Sequence, residues 1–132
     1  MKEKKKILII EDEEDIAKLI SLMLISDGYD VEISYDANDA LSKMFHLQKF
    51  DLILLDISIP VMDGWELLEI IKAKEETKDI PVMIITARTG IRSKTLALQR
   101  GAQDFITKPF TRKSLLERVK NLLTKPSTNK TD

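Results

Sequence analysis

The 132-residue chain has no cysteine. Disulfides, thiol nucleophiles and thiolate zinc sites are therefore excluded. It has one histidine, His46, so a multi-histidine metal centre is excluded, and a Ser-His-Asp triad would have to be built on that residue. It has no excess of charge: Lys+Arg number 21 and Asp+Glu 22, a net charge of -1. That balance argues against a general nucleic-acid binder and against an acidic disordered tail. The longest apolar runs, Ile7–Ile10 and Leu52–Leu55, fall far short of the roughly 20 residues that span a bilayer. The basic head Met1–Lys6 meets only four apolar residues before an acidic block, so it does not read as a signal peptide. No glycine-rich loop follows the first apolar run, which excludes a mononucleotide-binding phosphate loop. The expectation is one cytoplasmic domain with no membrane segment and no direct nucleic-acid contact.

What is present is an alternation of short apolar runs with amphipathic stretches. Lys6–Ile10 and Leu52–Leu55 are continuous apolar strands of the kind buried on both faces. Val31–Ser34, Val82–Ile85 and Asp104–Thr107 supply three more. Between them lie helical patterns. Ile16, Leu19, Ile20, Met23 and Leu24 recur at helical spacing, with Gly28 as the stop. Ala40, Leu41, Met44 and Leu47 follow a cap at Asp36 or Asn38. Leu67, Leu68 and Ile71 mark a third helix, about 92–100 a weaker fourth, and Thr111 caps a fifth carrying Leu115, Leu116, Val119, Leu122 and Leu123. Five strands alternating with five helices predict an α/β fold, a doubly wound parallel sheet covered on both sides. The domain is expected over 1–124, with 125–132 a polar tail or the start of a linker.

In such folds ligands bind at the carboxyl ends of the strands. The polar residues at those ends are Glu11-Asp12, Asp56, Thr86 and Lys108. Three carboxylates brought together need a cation, and Mg²⁺ suits oxygen donors. Asp12 and Asp56 are read as direct ligands, Glu11 as a water-bridged one, and the Ser58 backbone carbonyl as a further donor. A carboxylate in such a site can take a phosphoryl group as an acyl phosphate. Lys108 would then neutralise phosphoryl oxygens and Thr86 would donate a hydroxyl hydrogen bond.

These residues, in this order, resemble the receiver domain of two-component response regulators. The stretches that carry the resemblance are ILIIEDEEDI at 7–16, DLILLDISIPVMDGWELL at 51–68, VMIITA at 82–87 and GAQDFITKPF at 101–110. The resemblance implies the flavodoxin-like strand order 2-1-3-4-5. It also implies Asp56 as phosphoacceptor, fed by a sensor histidine kinase or a histidine phosphotransfer protein. Glu11 and Asp12 would be the Mg²⁺ pocket, Thr86 and Phe105 the switch pair, and Lys108-Pro109 a cis peptide bond. Output to a target protein, an output domain or a homodimer would run through the fourth helix, fifth strand and fifth helix. The implied activity is a self-phosphorylating, slowly self-dephosphorylating switch without turnover of an outside substrate.

Some positions depart from the commonest pattern of the family. The acidic pair is Glu-Asp, the aromatic is Phe105 rather than Tyr, Gln103 stands where an acid is common, and Ser58 and Arg88 hold variable positions expected to tune phosphoryl lifetime. A phosphatase working through an aspartyl phosphate would need a second Asp two residues after the nucleophile, where this chain has Ser58. The remaining alternative is a degenerate receiver that binds partners without phosphorylation. Glu13, Glu14 and Asp15 read as helix-dipole residues, Asp63 and Gly64 as turn chemistry, His46 as exposed, and Trp65 as packing beside the site loop.

Overall fold

The computed structural model describes residues 4–46, 49–57, 64–87 and 91–124, the side chains of 91–93 excepted. The β-branched and leucine runs form β1 (Lys6–Ile10), β2 (Asp30–Ser34), β3 (Leu52–Asp56), β4 (Val82–Thr86) and β5 (Asp104–Thr107). The amphipathic stretches form α1 (Glu14–Ser26), α2 (Ala37–His46), α3 (Gly64–Ala73), α4 (Ile91–Gln99) and α5 (Arg112–Thr124). All strand pairs are parallel, in the order β2-β1-β3-β4-β5 that the resemblance implies.

The strand side chains alternate between two cores. Leu8, Ile10, Ile53, Leu55, Val82, Ile84 and Phe105 pack under α2, α3 and α4. Ile7, Ile9, Leu52, Leu54, Met83, Ile85 and Ile106 pack under α1 and α5. Every residue of β3 and β4 is buried. That is why these strands read as apolar runs up to their last residues, Asp56 and Thr86: neither sheet face is left for a polar side chain before the strand end. Each fully buried Leu or Ile contributes about 1.5–3 kcal/mol relative to exposure.

Local chemistry sets the helix ends. Asp36 Oδ1 accepts from the Asp39 amide at 2.8 Å, and Thr111 Oγ1 from the Ser114 amide at 3.0 Å, so both expected caps are made. Gly28 stops α1 at φ 95°, in the left-handed region that glycine adopts without strain. The stripe of α1 differs from its reading by spacing. Leu19 is 54% exposed, while Ala17 and Ser21 are buried with Ile20 and Leu24. The helix lies close to the sheet through its small residues, which turns Leu19 outward.

Two features were not legible in the pattern. Lys72 on α3 donates to the Ile80 carbonyl at 2.7 Å, the Lys78 carbonyl at 3.2 Å and Gln103 Oε1 at 3.2 Å. Gln103 Oε1 also accepts from the Val82 amide at 2.8 Å, so Lys72 ties α3 to the starts of β4 and β5. Gly64 begins α3 with its amide donating to the Ile57 carbonyl at 3.0 Å. A Cβ on Gly64 would overlap the Ile57 Cα and come within 2.9 Å of its carbonyl carbon. The first residue of α3 is thereby pressed against the backbone just after β3. Gly64→Ala is expected to lower stability by about 1–3 kcal/mol, the cost of forcing an atom into packed space. Urea denaturation read by circular dichroism checks this.

Candidate functional site

The register delivers the polar residues to one edge. Ile10 pairs with Leu55, so Glu11 and Asp12 leave β1 beside Asp56 at the end of β3. Asp56 pairs with Ile85 and Thr86 with Thr107, which places Thr86 and Lys108 on the other flank. The Lys108 amide extends the ladder, donating to the Thr86 carbonyl at 2.8 Å. The Lys108-Pro109 peptide bond is cis, as the resemblance implies.

Glu11, Asp12 and Asp56 each offer a carboxylate oxygen within 4.8 Å of the others. Glu11 and Asp56 are buried, at 1% and 5% exposure, and Asp12 faces solvent. Lys108 is the cation between them: its Nζ donates to Glu11 Oε1 at 2.8 Å and to Asp56 Oδ2 at 3.1 Å. The second Glu11 oxygen, Oε2, accepts from the Glu13 amide at 3.2 Å. Both Glu11 oxygens thus have protein donors, and Glu11 holds Lys108 in place. Thr86 is fully buried. An all-oxygen donor set of this size fits a hard divalent cation, and one such ion would offset the two carboxylate charges that Lys108 leaves unbalanced.

Electrostatics follow from burial. Burial raises the Glu11 carboxyl from 4.5 to about 7; the Asp56 charge adds to the rise, and Lys108 and the Glu13 amide oppose it. For Lys108, burial alone would favour the neutral amine. Its hydrogen bonds and charge pairs with Glu11 and Asp56 outweigh that and hold its pKa above the ordinary value.

The sequence of residues 7–120 matches the family model described as the response regulator receiver domain. The chain belongs to this family. Solved structures agree with it. A response regulator receiver domain protein (CheY-like) from Methanospirillum hungatei is 34% identical with a TM-score of 0.82, covering 92% of this chain and 94% of its own. The chemotaxis response regulator CheY4 of Vibrio cholerae is 30% identical with a TM-score of 0.86, covering 92% and 100%. A putative response regulator from Chloroflexus aurantiacus is 29% identical with a TM-score of 0.88, covering 93% and 100%.

Of the positions singled out by sequence, the receiver brings Glu11, Asp12, Asp56, Thr86 and Lys108 to one edge. Ser58, Arg88 and Asp63 lie outside the described residues, as does the tail 125–132. Phe105 is 6% exposed, its ring packed in the core with Ala97 and Ala102. Lacking a hydroxyl, it is buried without stranding a polar group. Gln103 has a role that spacing did not reveal, as the shared acceptor for Lys72 and the Val82 amide. His46 is exposed on α2, bonded to Ser42 of its own helix.

The raised Glu11 pKa makes a prediction with a definite sign. Between about pH 4.5 and 7 the folded receiver keeps a proton that the unfolded chain has released. Glu11 therefore adds stability at low pH that is lost as pH rises through that window. Urea midpoints of the receiver without divalent ions should fall from about pH 5 to pH 8 more steeply in wild type than in Glu11→Gln. The differential should be about 1–3 kcal/mol.

Proposed function

We propose that this receiver is a phosphorylation-controlled switch whose phosphoacceptor is Asp56. The observation that carries the reading is the buried Asp56 carboxylate, set among Glu11 and Asp12 and held at Oδ2 by Lys108 at 3.1 Å. A phosphohistidine of a sensor kinase or histidine phosphotransfer protein is the donor. The Asp56 carboxylate oxygen forms the new P–O bond as the P–N bond breaks, and the electron pair leaves with the imidazole nitrogen.

Asp12 and Asp56 would hold Mg²⁺ directly, with Glu11 through water and the Ser58 carbonyl as a further donor. When bound, the ion supplies charge neutralisation for the transferring phosphoryl group. Lys108 is already aimed at the reacting carboxylate and moves from Asp56 Oδ2 to a phosphoryl oxygen. Thr86 donates its hydroxyl to another. Phosphorylation adds about one negative charge at a site that the cation and Lys108 have just balanced. That excess draws Thr86 and Lys108 inward. The receiver modifies itself, hydrolyses slowly and turns over no outside substrate.

Among the described residues no helix is long and apolar enough to cross a membrane. With a cysteine-free composition this supports a cytoplasmic location. Partners separate by surface. Leu19, Leu22 and Ile25 form an apolar ridge on α1, at 54%, 65% and 52% exposure, and α1 begins two residues after Asp12. A helical phosphodonor that reaches Asp56 covers this ridge. Output to a target protein, an output domain or a second copy uses α4, β5 and α5.

Incubation with Mg²⁺ and acetyl phosphate tests the reading. Intact mass should rise by one phosphoryl group in wild type and not in Asp56→Asn or in the presence of EDTA. Lys108→Ala should be labelled on the order of 10²-fold more slowly, the scale for losing one preorganised electrostatic partner. No gain in wild type would instead support a receiver that binds partners without phosphorylation.

A further inference from the structure

Lys72 stands near the end of α3, half-buried, and its charge meets no acid at hydrogen-bond distance. Its three hydrogen bonds go to carbonyl oxygens: Ile80 at 2.7 Å, Lys78 at 3.2 Å and the side-chain amide of Gln103 at 3.2 Å. An acid at position 103 would balance the ammonium, and the neutral Gln103 does not. The stem is held as well. A Cβ on Gly101 would lie 3.1 Å from Lys72 Cγ, so the methylene chain runs along bare backbone in the turn before β5.

The charged groups around it compensate only in part. Glu69 lies one turn back on α3, Asp79 in the segment that joins α3 to β4, and Arg100 in the turn before β5. Lys78 is taken by Glu75 at 3.1 Å. Burial pushes the Lys72 ammonium down from 10.5 to about 8, and the Asp79 charge opposes the fall. A neutral amine at this place keeps two N–H groups. They serve the short bond to Ile80 and one of the two longer ones, which leaves a lone pair for chemistry.

The amine borders open space. Glu69, Lys72, Ala73 and Arg100 line a cleft of about 520 Å³, inside the range of roughly 300–1,000 Å³ common for small-molecule sites. Arg100 is steadied there. Its guanidinium carbon lies 5.5 Å from the centre of the Trp65 ring, and its amide bonds to the Leu96 and Ala97 carbonyls at 3.0 and 3.2 Å. A guanidinium fork suits phosphate oxygens. A small molecule with a phosphate beside a reactive carbonyl therefore meets a cation for the one and an amine for the other.

We propose that Lys72 is a site of acylation by acyl phosphates, with Arg100 holding the phosphate in the cleft beside α3. The Lys72 nitrogen attacks the acyl carbon. The C–N bond forms as the C–O bond to phosphate breaks, the electron pair leaves on the phosphate oxygen, and the departing phosphate takes the amine proton. The product amide has one N–H and cannot serve three acceptors. Acylation therefore frees the end of α3 from the starts of β4 and β5. The site is independent of Asp56, which would attack such a reagent at phosphorus rather than at carbon.

The test incubates the receiver with acetyl phosphate in EDTA, so that no divalent ion assists Asp56. Acetyl-lysine is mapped by peptide mass spectrometry between about pH 7 and pH 9.5. At about pH 8, Lys72 should be acetylated at least about tenfold faster than the exposed Lys74, Lys94 and Lys113, because an ordinary lysine is under about 1% neutral there. Its rate should level off above about pH 8 while theirs keep rising. Arg100→Ala should slow Lys72 about threefold to tenfold with acetyl phosphate and leave its reaction with p-nitrophenyl acetate, an uncharged donor, unchanged. In Lys72→Gln, amides at the end of α3 should exchange about twofold to tenfold faster while those of α5 are unchanged. Acetylation of Lys72 no faster than that of the exposed lysines overturns the site. Equal slowing with both donors in Arg100→Ala overturns the phosphate-holding role, and unchanged α3 exchange in Lys72→Gln overturns the structural consequence.

Discussion

The structure turns on an unbalanced charge: three carboxylates within 4.8 Å of one another, two of them buried, and one lysine between them. Carboxylates taken from water without full compensation are costly. The fold tolerates them because Lys108 bonds two of the three and because the Glu13 amide holds the free oxygen of Glu11. The residual negative charge leaves an acidic cluster that could hold a cation. Glu11 enters this balance as a partner of Lys108 and as a member of the carboxylate cluster.

The sheet makes the imbalance possible. Its central strands have apolar side chains on both faces, so polar groups are confined to strand ends. Parallel pairing then aligns the ends of β1, β3, β4 and β5 on one side. A one-residue slip of β3 against β1 would turn Asp56 into a core and bring an isoleucine or leucine to the edge. Hydrophobic register and charge placement are therefore one constraint, enforced by residues such as Leu54 and Ile9 that never meet the ligand.

Most of the fold and the edge cluster were legible because they depend on periodicity and on where apolar runs stop. Asp56 ends such a run, and so do Glu11 and Thr86. What escaped the pattern depends on tertiary closeness. Leu19 fits the helical stripe of α1, yet it faces outward because Ala17 and Ser21 allow the helix to sit closer on its other side. Gly64 reads as ordinary turn chemistry until the Ile57 backbone is placed against it. Gln103, Lys72 and Arg100 are polar residues in polar stretches, and their partners lie far away in sequence. Phe105 shares a core cluster with Ala97 and Ala102, a grouping set in space and not by local spacing.

The most direct measurement of the central claim is chemical mapping of the acyl phosphate. The receiver is treated with a phosphodonor and Mg²⁺, reduced with borohydride and sequenced by mass spectrometry. The account predicts conversion of residue 56 alone to homoserine, dependent on the divalent ion and on Lys108. Reduction at Asp12 or Glu11, or an aspartyl phosphate formed equally well with the ion chelated, would contradict it.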